Sequence, residues 1–262
     1  MSDRSETYRF HEFDIPVELL NLTGGGTETF EVISTQHIDS LRKFVNLDSD
    51  DHVLEIGCGI GRDAIPLTKI LGPNGRYLGI DIIRPSIEFC RENISPLYPN
   101  FGFEHFDIQD KMNNPSGAYQ TTDCTLPAAD RSIDKVFGWS VFTHMWEEDI
   151  RHYLKEFHRV MKPGAQAILT CFVLTTEVLA KARETNLTQF NLSFEHQLND
   201  HCWINNQEFP LGAIGYSPEA FRSMVEDSGL VMQRDFIRGG WSGFHADAED
   251  GQDGLVILGI QS

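Results

Sequence analysis

Three glycines on alternate positions, Gly57, Gly59 and Gly61, follow Val53-Leu54-Glu55-Ile56, an apolar run interrupted by one acid. Glycine tolerates left-handed backbone and, having no side chain, lets a ligand approach the main chain closely. A strand that turns through such residues into a helix also gathers backbone N–H groups at one point. The spacing separates two ligand classes. A dinucleotide fingerprint has glycines at offsets 0, 2 and 5, whereas here they fall at 0, 2 and 4, with Arg62 at the third dinucleotide position. Glu55, just ahead of the loop, would repel a pyrophosphate and attract an ammonium group. A zwitterionic amino-acid cofactor is therefore expected, rather than a nicotinamide dinucleotide. Cys58 has neither a C-x-x-C partner nor an obvious paired histidine, so it reads as a loop position, not a nucleophile.

Glu55-x-Gly57-x-Gly59-x-Gly61 resembles motif I of the class I (Rossmann-like) S-adenosylmethionine (SAM) methyltransferases. A second run, Tyr77-Leu78-Gly79-Ile80-Asp81, ends in an acid 22 residues after Gly59. Acids at about this distance hydrogen-bond ribose hydroxyls in adenosine-binding α/β folds. The resemblance implies that Gly57, Cys58 and Gly59 face the methionyl part of SAM through their backbones, with Gly61 and Arg62 completing the loop. It implies that Glu55 meets the ammonium, directly or through water, and that Asp81, beside Ile82, binds the ribose. Asp107 and the backbone of Ile108 are assigned to adenine and Ser140 to the cofactor edge after strand four. The polar stretch from Lys111 to Gly117 keeps Asp123 open as an alternative adenine partner. S-adenosylhomocysteine (SAH) would be the product, and the bacterial small-molecule methyltransferases are the nearest type.

The elements that must hold these groups alternate regularly from residue 51. Residues 62–71 carry a helical apolar pattern that stops at Gly72-Pro73-Asn74-Gly75, which is strong turn chemistry. Pro85 opens a second helix, since proline fits a first turn. Residues 101–106 alternate as a third strand, and Asp130-Arg131-Ser132-Ile133-Asp134 leads into a fourth. Ile150, Tyr153, Leu154, Phe157, Val160 and Met161 form a one-sided stripe, as for a helix lying on a sheet. Lys162-Pro163-Gly164 should end that helix before a fifth strand over 165–173. Ser217-Pro218-Glu219 caps a last helix, and residues 230–237 and 255–260 read as two final strands. The expected fold is α/β: a Rossmann-like, seven-stranded, mostly parallel sheet with its last strand antiparallel and helices on both faces. Residues 1–50 are expected as an N-terminal cap, with a flexible linker as the alternative. Residues 51–262 form the methyltransferase domain, with a variable substrate-recognition insertion at about 186–216.

Composition narrows the partners. The chain has 262 residues, 39 acids against 21 Lys and Arg, and a formal charge of −18. Nucleic-acid binders concentrate basic side chains that displace counterions, so neither RNA, DNA nor an anionic membrane surface is expected. A small-molecule acceptor is. Five widely spaced cysteines and an opening Met1-Ser2-Asp3-Arg4-Ser5-Glu6 without a leader's basic-then-apolar layout point to a reduced, cytoplasmic setting.

Methyl transfer to a hydroxyl needs the acceptor's proton removed, which favours a base titrating near neutrality. His144 follows the fourth strand, at the sheet edge where α/β ligands bind; packing at the start of the next helix is its other reading. His196, with Glu195, Asp200 and His201, forms a second polar group in the insertion. No zinc or EF-hand spacing is present, so no metal is expected. The function expected is O-methylation of a small molecule, a sugar or secondary metabolite. N-methylation of a small amine or peptide, and a SAM-binding protein with a regulatory or non-methylating role, stay open.

Overall fold

The computed structural model describes residues 6–259. Residues 1–5 of the opening segment, and Ile260 at the end of the last expected strand, lie outside the described residues. The chain divides into two compact units, residues 1–128 with 133–137 and residues 129–132 with 138–262.

The first unit opens on a hairpin of β1 (Thr7–Phe10) and β2 (Phe13–Pro16), then α1 (Val17–Leu20) and α2 (Phe30–Val45). It continues through β3 (His52–Ile56), α3 (Ala64–Leu67), β4 (Arg76–Asp81), α4 (Arg84–Asn93), β5 (Phe101–His105) and β6 (Ile133–Gly138). Strands β3, β4, β5 and β6 pair in parallel. Strand β3, paired on both sides and buried, carries a near-continuous apolar run broken only by Glu55, whereas β5, at the sheet edge, alternates. Helix α3 is shorter than the pattern over 62–71 suggests. Thr68 Oγ1 bonds the Ile65 carbonyl at 2.6 Å, and Lys69 and Ile70 bond carbonyls three residues back, so the segment tightens into turns.

The second unit contains α5 (Glu147–Val160), β7 (Met161–Cys171), α6 (Thr176–Thr185), β8 (His196–Asn199), β9 (Cys202–Ile204), β10 (Ile214–Tyr216), α7 (Pro218–Asp227), β11 (Val231–Met232) and β12 (Asp253–Leu258). Helix α5 buries the expected stripe of Ile150, Tyr153, Leu154, Phe157 and Val160. Strand β7 begins earlier than expected: Met161 already has extended backbone, and Gly164, with φ 81°, is absorbed into the strand. Of the two last strands, β11 keeps only two residues. Ile237 rejoins Gly254 through a lone bridge, while Arg234 and Asp235 turn outward to Glu249 and Arg222.

The seven-stranded sheet has the order β11-β12-β7-β6-β3-β4-β5, and β12 runs antiparallel to both of its neighbours. The Rossmann-like, mostly parallel sheet expected from sequence is thus the observed one. Among the described residues no helix is long and apolar enough to cross a membrane.

One buried acid organises the second unit. Asp253, 4% exposed, accepts from the Gly239 N–H at 2.9 Å, the Val173 N–H at 3.0 Å and the Trp241 indole N–H at 2.8 Å. Trp241 thereby packs on Phe172 and Phe194 within the cluster that also holds Leu174, Val178 and Leu179. Replacing the carboxylate orphans three buried donors. Asp253→Ala is expected to lower unfolding free energy by about 3 kcal/mol, read as a reduced urea midpoint at unchanged slope; an unmoved midpoint would contradict this role.

Candidate functional site

Strand β3 ends at Ile56, and the chain then reverses direction through three left-handed glycines, with φ of 76° at Gly57, 52° at Gly59 and 83° at Gly61. Each does separate work. A Cβ on Gly61 would lie 2.8 Å from Ile94 Cδ1 and 3.2 Å from Cys90 Sγ, so the bare residue lets the segment after β4 pack close. A Cβ on Gly59 would come within 2.6 Å of the Thr23 side chain, which lies directly over it.

Every N–H of the loop is bonded internally. Gly57 and Cys58 both donate to the Ile80 carbonyl, at 2.8 and 3.0 Å, and Gly61 donates to Cys58 at 3.0 Å. Gly59 donates to Asp81 Oδ2 at 2.6 Å and Ile60 to Thr23 Oγ1 at 3.1 Å. A phosphate nest needs these donors pointing outward. With all five engaged within the fold, the loop lacks that nest, and the carboxylates of Glu55 and Asp81 stand beside it.

The carboxylates are buried. Asp81 is 8% exposed and holds the loop to β4, its Oδ1 also accepting from Ile83 at 2.7 Å. Each oxygen keeps lone-pair capacity for a ligand hydroxyl, and burial raises the carboxyl's pKa against the pull of these N–H groups. Glu55, 3% exposed, accepts a hydrogen bond from the Tyr77 hydroxyl. Burial, and next the charge of Asp63, push Glu55 well above the usual carboxylate range; Tyr77 and Arg62 oppose the shift. Gly79, opposite Glu55 in the sheet, leaves the room: a Cβ there would meet Cys58 Sγ and the Tyr77 hydroxyl, each at 2.8 Å. Cys58 itself is buried, and burial raises its thiol pKa, which fits a packing role.

The segment before β3 grips this loop. Arg62 donates to the Gly24 carbonyl at 3.1 Å and lies 5.8 Å from the Phe30 ring centre. Ser34 donates to the Arg62 carbonyl at 2.9 Å, and His37 Nδ1 meets Asp63 Oδ2 at 2.7 Å.

Beyond β5, Asp107 Oδ1 accepts from the Asn114 amide at 3.1 Å, and the same amide reaches the Ile108 carbonyl at 3.0 Å. The Gln109 N–H donates to the Tyr119 carbonyl, the Tyr119 N–H donates to the Asp107 carbonyl, and Ile108 bridges Tyr119. The polar stretch that follows Asp107 therefore folds back and fixes it. Asp123 instead accepts from the Gln120 N–H at 3.1 Å, closing its own short turn. Ile82, next to Asp81, has its carbonyl bonded to His105 at 3.1 Å.

In the second unit, Ser140 has a left-handed φ of 56°, uncommon outside glycine. It is held by its N–H to Thr170 Oγ1 at 2.7 Å and by its hydroxyl to Gln252 at 3.0 Å. His144 is exposed, ends a 3-10 turn and contacts the Leu211 carbonyl through Nδ1 at 2.8 Å. A hydrogen on Nδ1 leaves the lone pair on Nε2. His196 lies on β8, opposite Ile204 in a three-stranded antiparallel sheet of β8, β9 and β10. Among the described residues no group of three or more His, Cys, Asp or Glu side chains is arranged to hold a metal.

Residues 47–229 match the family model described as a methyltransferase domain. The chain belongs to that methyltransferase family. It is 25% identical over 146 residues to an O-methyltransferase of Penicillium expansum, covering 56% of this chain and 47% of that one. It is 24% identical over 189 residues to a demethylmenaquinone methyltransferase of Staphylococcus aureus, covering 69% and 68%. The first of these matches spans about half of the relative's length. Among solved structures, a Pyrococcus horikoshii protein is 14% identical with a TM-score of 0.59, covering 91% of this chain and 93% of that one. A Synechocystis magnesium protoporphyrin IX methyltransferase with bound SAH is 14% identical with a TM-score of 0.53, covering 94% of both. At such identities these structures share the fold.

Within the methyltransferase domain, the loop, Glu55, Arg62 and Asp81 assemble as one network in the first unit, with Asp107 and Ile108 fixed at the end of β5. Four participants escaped sequence reading: Thr23, His37, Asp63 and Tyr77. Asp63 adjoins the motif and was detectable as a second acid there; the others contribute through packing that no local pattern encodes.

The raised pKa of Glu55 has a thermodynamic consequence with a definite sign. The folded chain holds the proton more tightly than the unfolded one, whose value is 4.5. That contribution is full below 4.5 and is lost as pH rises through the folded value. Glu55→Gln keeps an acceptor for Tyr77 and never ionises. In the absence of ligand it is expected to melt about 2 °C or more above wild type at pH 8, the two converging near pH 4; parallel curves would refute the assignment.

Proposed function

We propose that the chain is a SAM-dependent methyltransferase acting on a small molecule, with a hydroxyl of a sugar or secondary metabolite as the acceptor. The observation that carries the cofactor is the loop at 57–61, whose N–H groups are all engaged internally while Glu55, Asp63 and Asp81 lie buried around it. That arrangement disfavours a pyrophosphate and suits an amino acid's ammonium. When bound, SAM supplies an electrophilic sulfonium methyl group.

The residues divide the work. Asp81, on its remaining lone pairs, accepts from the ribose hydroxyls while continuing to hold Gly59. Glu55 meets the ammonium, whose positive charge favours the ionised carboxylate. Asp107 accepts from the adenine amino group beside Ile108, and Ser140 borders the cofactor. Residues 1–50 act as the cap over the cofactor, a reading supported by the contacts of Thr23, Gly24, Ser34 and His37 with the loop and α3. His144, with its lone pair on Nε2, takes the acceptor's proton as the oxygen attacks, while His196 serves the acceptor from β8. Most of the acceleration then comes from alignment, since the methyl donor is already activated.

The charge of −18 supports a neutral or cationic small acceptor rather than nucleic acid. A cytoplasmic setting accords with the five cysteine thiols, four of them buried.

Two measurements test this reading. Asp81→Ala is expected to weaken SAM binding by about tenfold or more in calorimetry; an unchanged dissociation constant would remove Asp81 from the ribose. With methyl-labelled SAM and a panel of sugar and phenolic acceptors, label should enter one acceptor at oxygen. His144→Ala should then reduce kcat by about a hundredfold and abolish the acid limb of the rate–pH profile, with SAM affinity retained. SAM binding without transfer to any acceptor would favour the regulatory alternative.

A further inference from the structure

Asp63 is not needed by the roles assigned above, yet it is among the most deeply buried charged side chains described, at 1% exposure. Its Oδ2 is bound by His37, while Oδ1 is buried and accepts no hydrogen bond among the described residues. A carboxylate oxygen removed from water without a donor loses its hydration uncompensated. Asp63 is also the charged group that acts most strongly on Glu55. Arg62, whose charge acts on Glu55, directs Nη1 to the Gly24 carbonyl and lies near the Phe30 ring.

The donor count of the expected ligand matches this deficit. An ammonium carries three N–H donors. Those donors diverge tetrahedrally, so one carboxylate cannot face all three, and Glu55 Oε2 is already engaged by the Tyr77 hydroxyl. We propose that Asp63 is a second acceptor for the ammonium of the cofactor's amino-acid part, shared with Glu55, and that His37 is its positioning residue. This rests on the SAM reading above and names a partner for one group of that ligand. A His37 imidazole donating from Nδ1 fixes the Asp63 rotamer and, when neutral, leaves the carboxylate its full charge for the ligand. Because His37 belongs to α2, the same bond ties the N-terminal segment to the ligand's amino group.

Calorimetry on the full chain with two ligands, SAH and its analogue lacking only the α-amino group, tests the proposal. Wild type should bind SAH about tenfold or more tightly than the des-amino analogue. Asp63→Asn should weaken SAH by about tenfold while leaving the des-amino analogue within about twofold. His37→Ala should shift SAH in the same direction, and His37→Asn, which restores a donor near the Nδ1 position, should recover it. If Asp63→Asn weakened both ligands equally, or neither, Asp63 would be structural only and the proposal would fall. If it did not fold, the wild-type preference and the His37 pair would decide the matter alone. Binding of both ligands without preference would overturn this inference and leave the cofactor reading standing; binding of neither would overturn both.

Discussion

The bond from the Gly59 N–H to the Asp81 carboxylate, at 2.6 Å, is the constraint on which the candidate site depends. It closes the gap between the end of β3 and the end of β4, and it fixes which way the glycine turn faces. Once Gly59 points at Asp81, Gly57 and Cys58 fall onto the Ile80 carbonyl, and the loop's donors are consumed within the fold. The ligand preference then follows from polarity. A turn with its N–H groups outward suits phosphate; this one, with its N–H groups engaged within the fold and carboxylates beside it, suits the ammonium proposed above.

Such a site is electrostatically costly when empty. Glu55, Asp63 and Asp81 are all buried; burial raises the carboxyl pKa of Glu55 and of Asp81, and the charges of Asp63 and Asp81 push Glu55 further in the same direction. The chain offsets the cost with single, well-aimed donors: Tyr77 for Glu55, His37 for Asp63, and backbone amides for Asp81. None of these donors is a lysine or arginine, and Arg62 acts on Glu55 through its charge without a hydrogen bond between them. Had a fixed cation neutralised the cluster, little field would remain to favour a cationic ligand. Buried acids shifted by burial and by one another cluster at functional sites, which accords with the role proposed for this loop.

In the second unit the same logic operates with a different aim. Asp253 gathers three donors, Trp241 packs against Phe172 and Phe194, and Tyr216 of β10 bridges the chain just beyond β7 at Val173. The Leu211 carbonyl that meets His144 is delivered by the turn just before β10. A segment of unpatterned sequence thus becomes the frame that orients the candidate base.

Much of this protein was legible in one dimension because its signals are local. The glycine spacing, the acid ending β4 and the one-sided stripe of α5 each depend on residues near in sequence, and through the family they mark they gave the seven-stranded, mostly parallel sheet. The three-stranded sheet over 196–216 and the hairpin at 7–16 were not legible, since short, half-exposed strands carry weak periodicity. The pairings that matter most at the site span long distances: Thr23 with Ile60, His37 with Asp63, Val173 with Asp253. Sequence alone determined which backbone could bend at 57–61 and which acids stood beside it. Only the tertiary structure decided where the loop's N–H groups go and which buried oxygen they leave without a donor, because hydrogen-bond partners distant in sequence are chosen by packing.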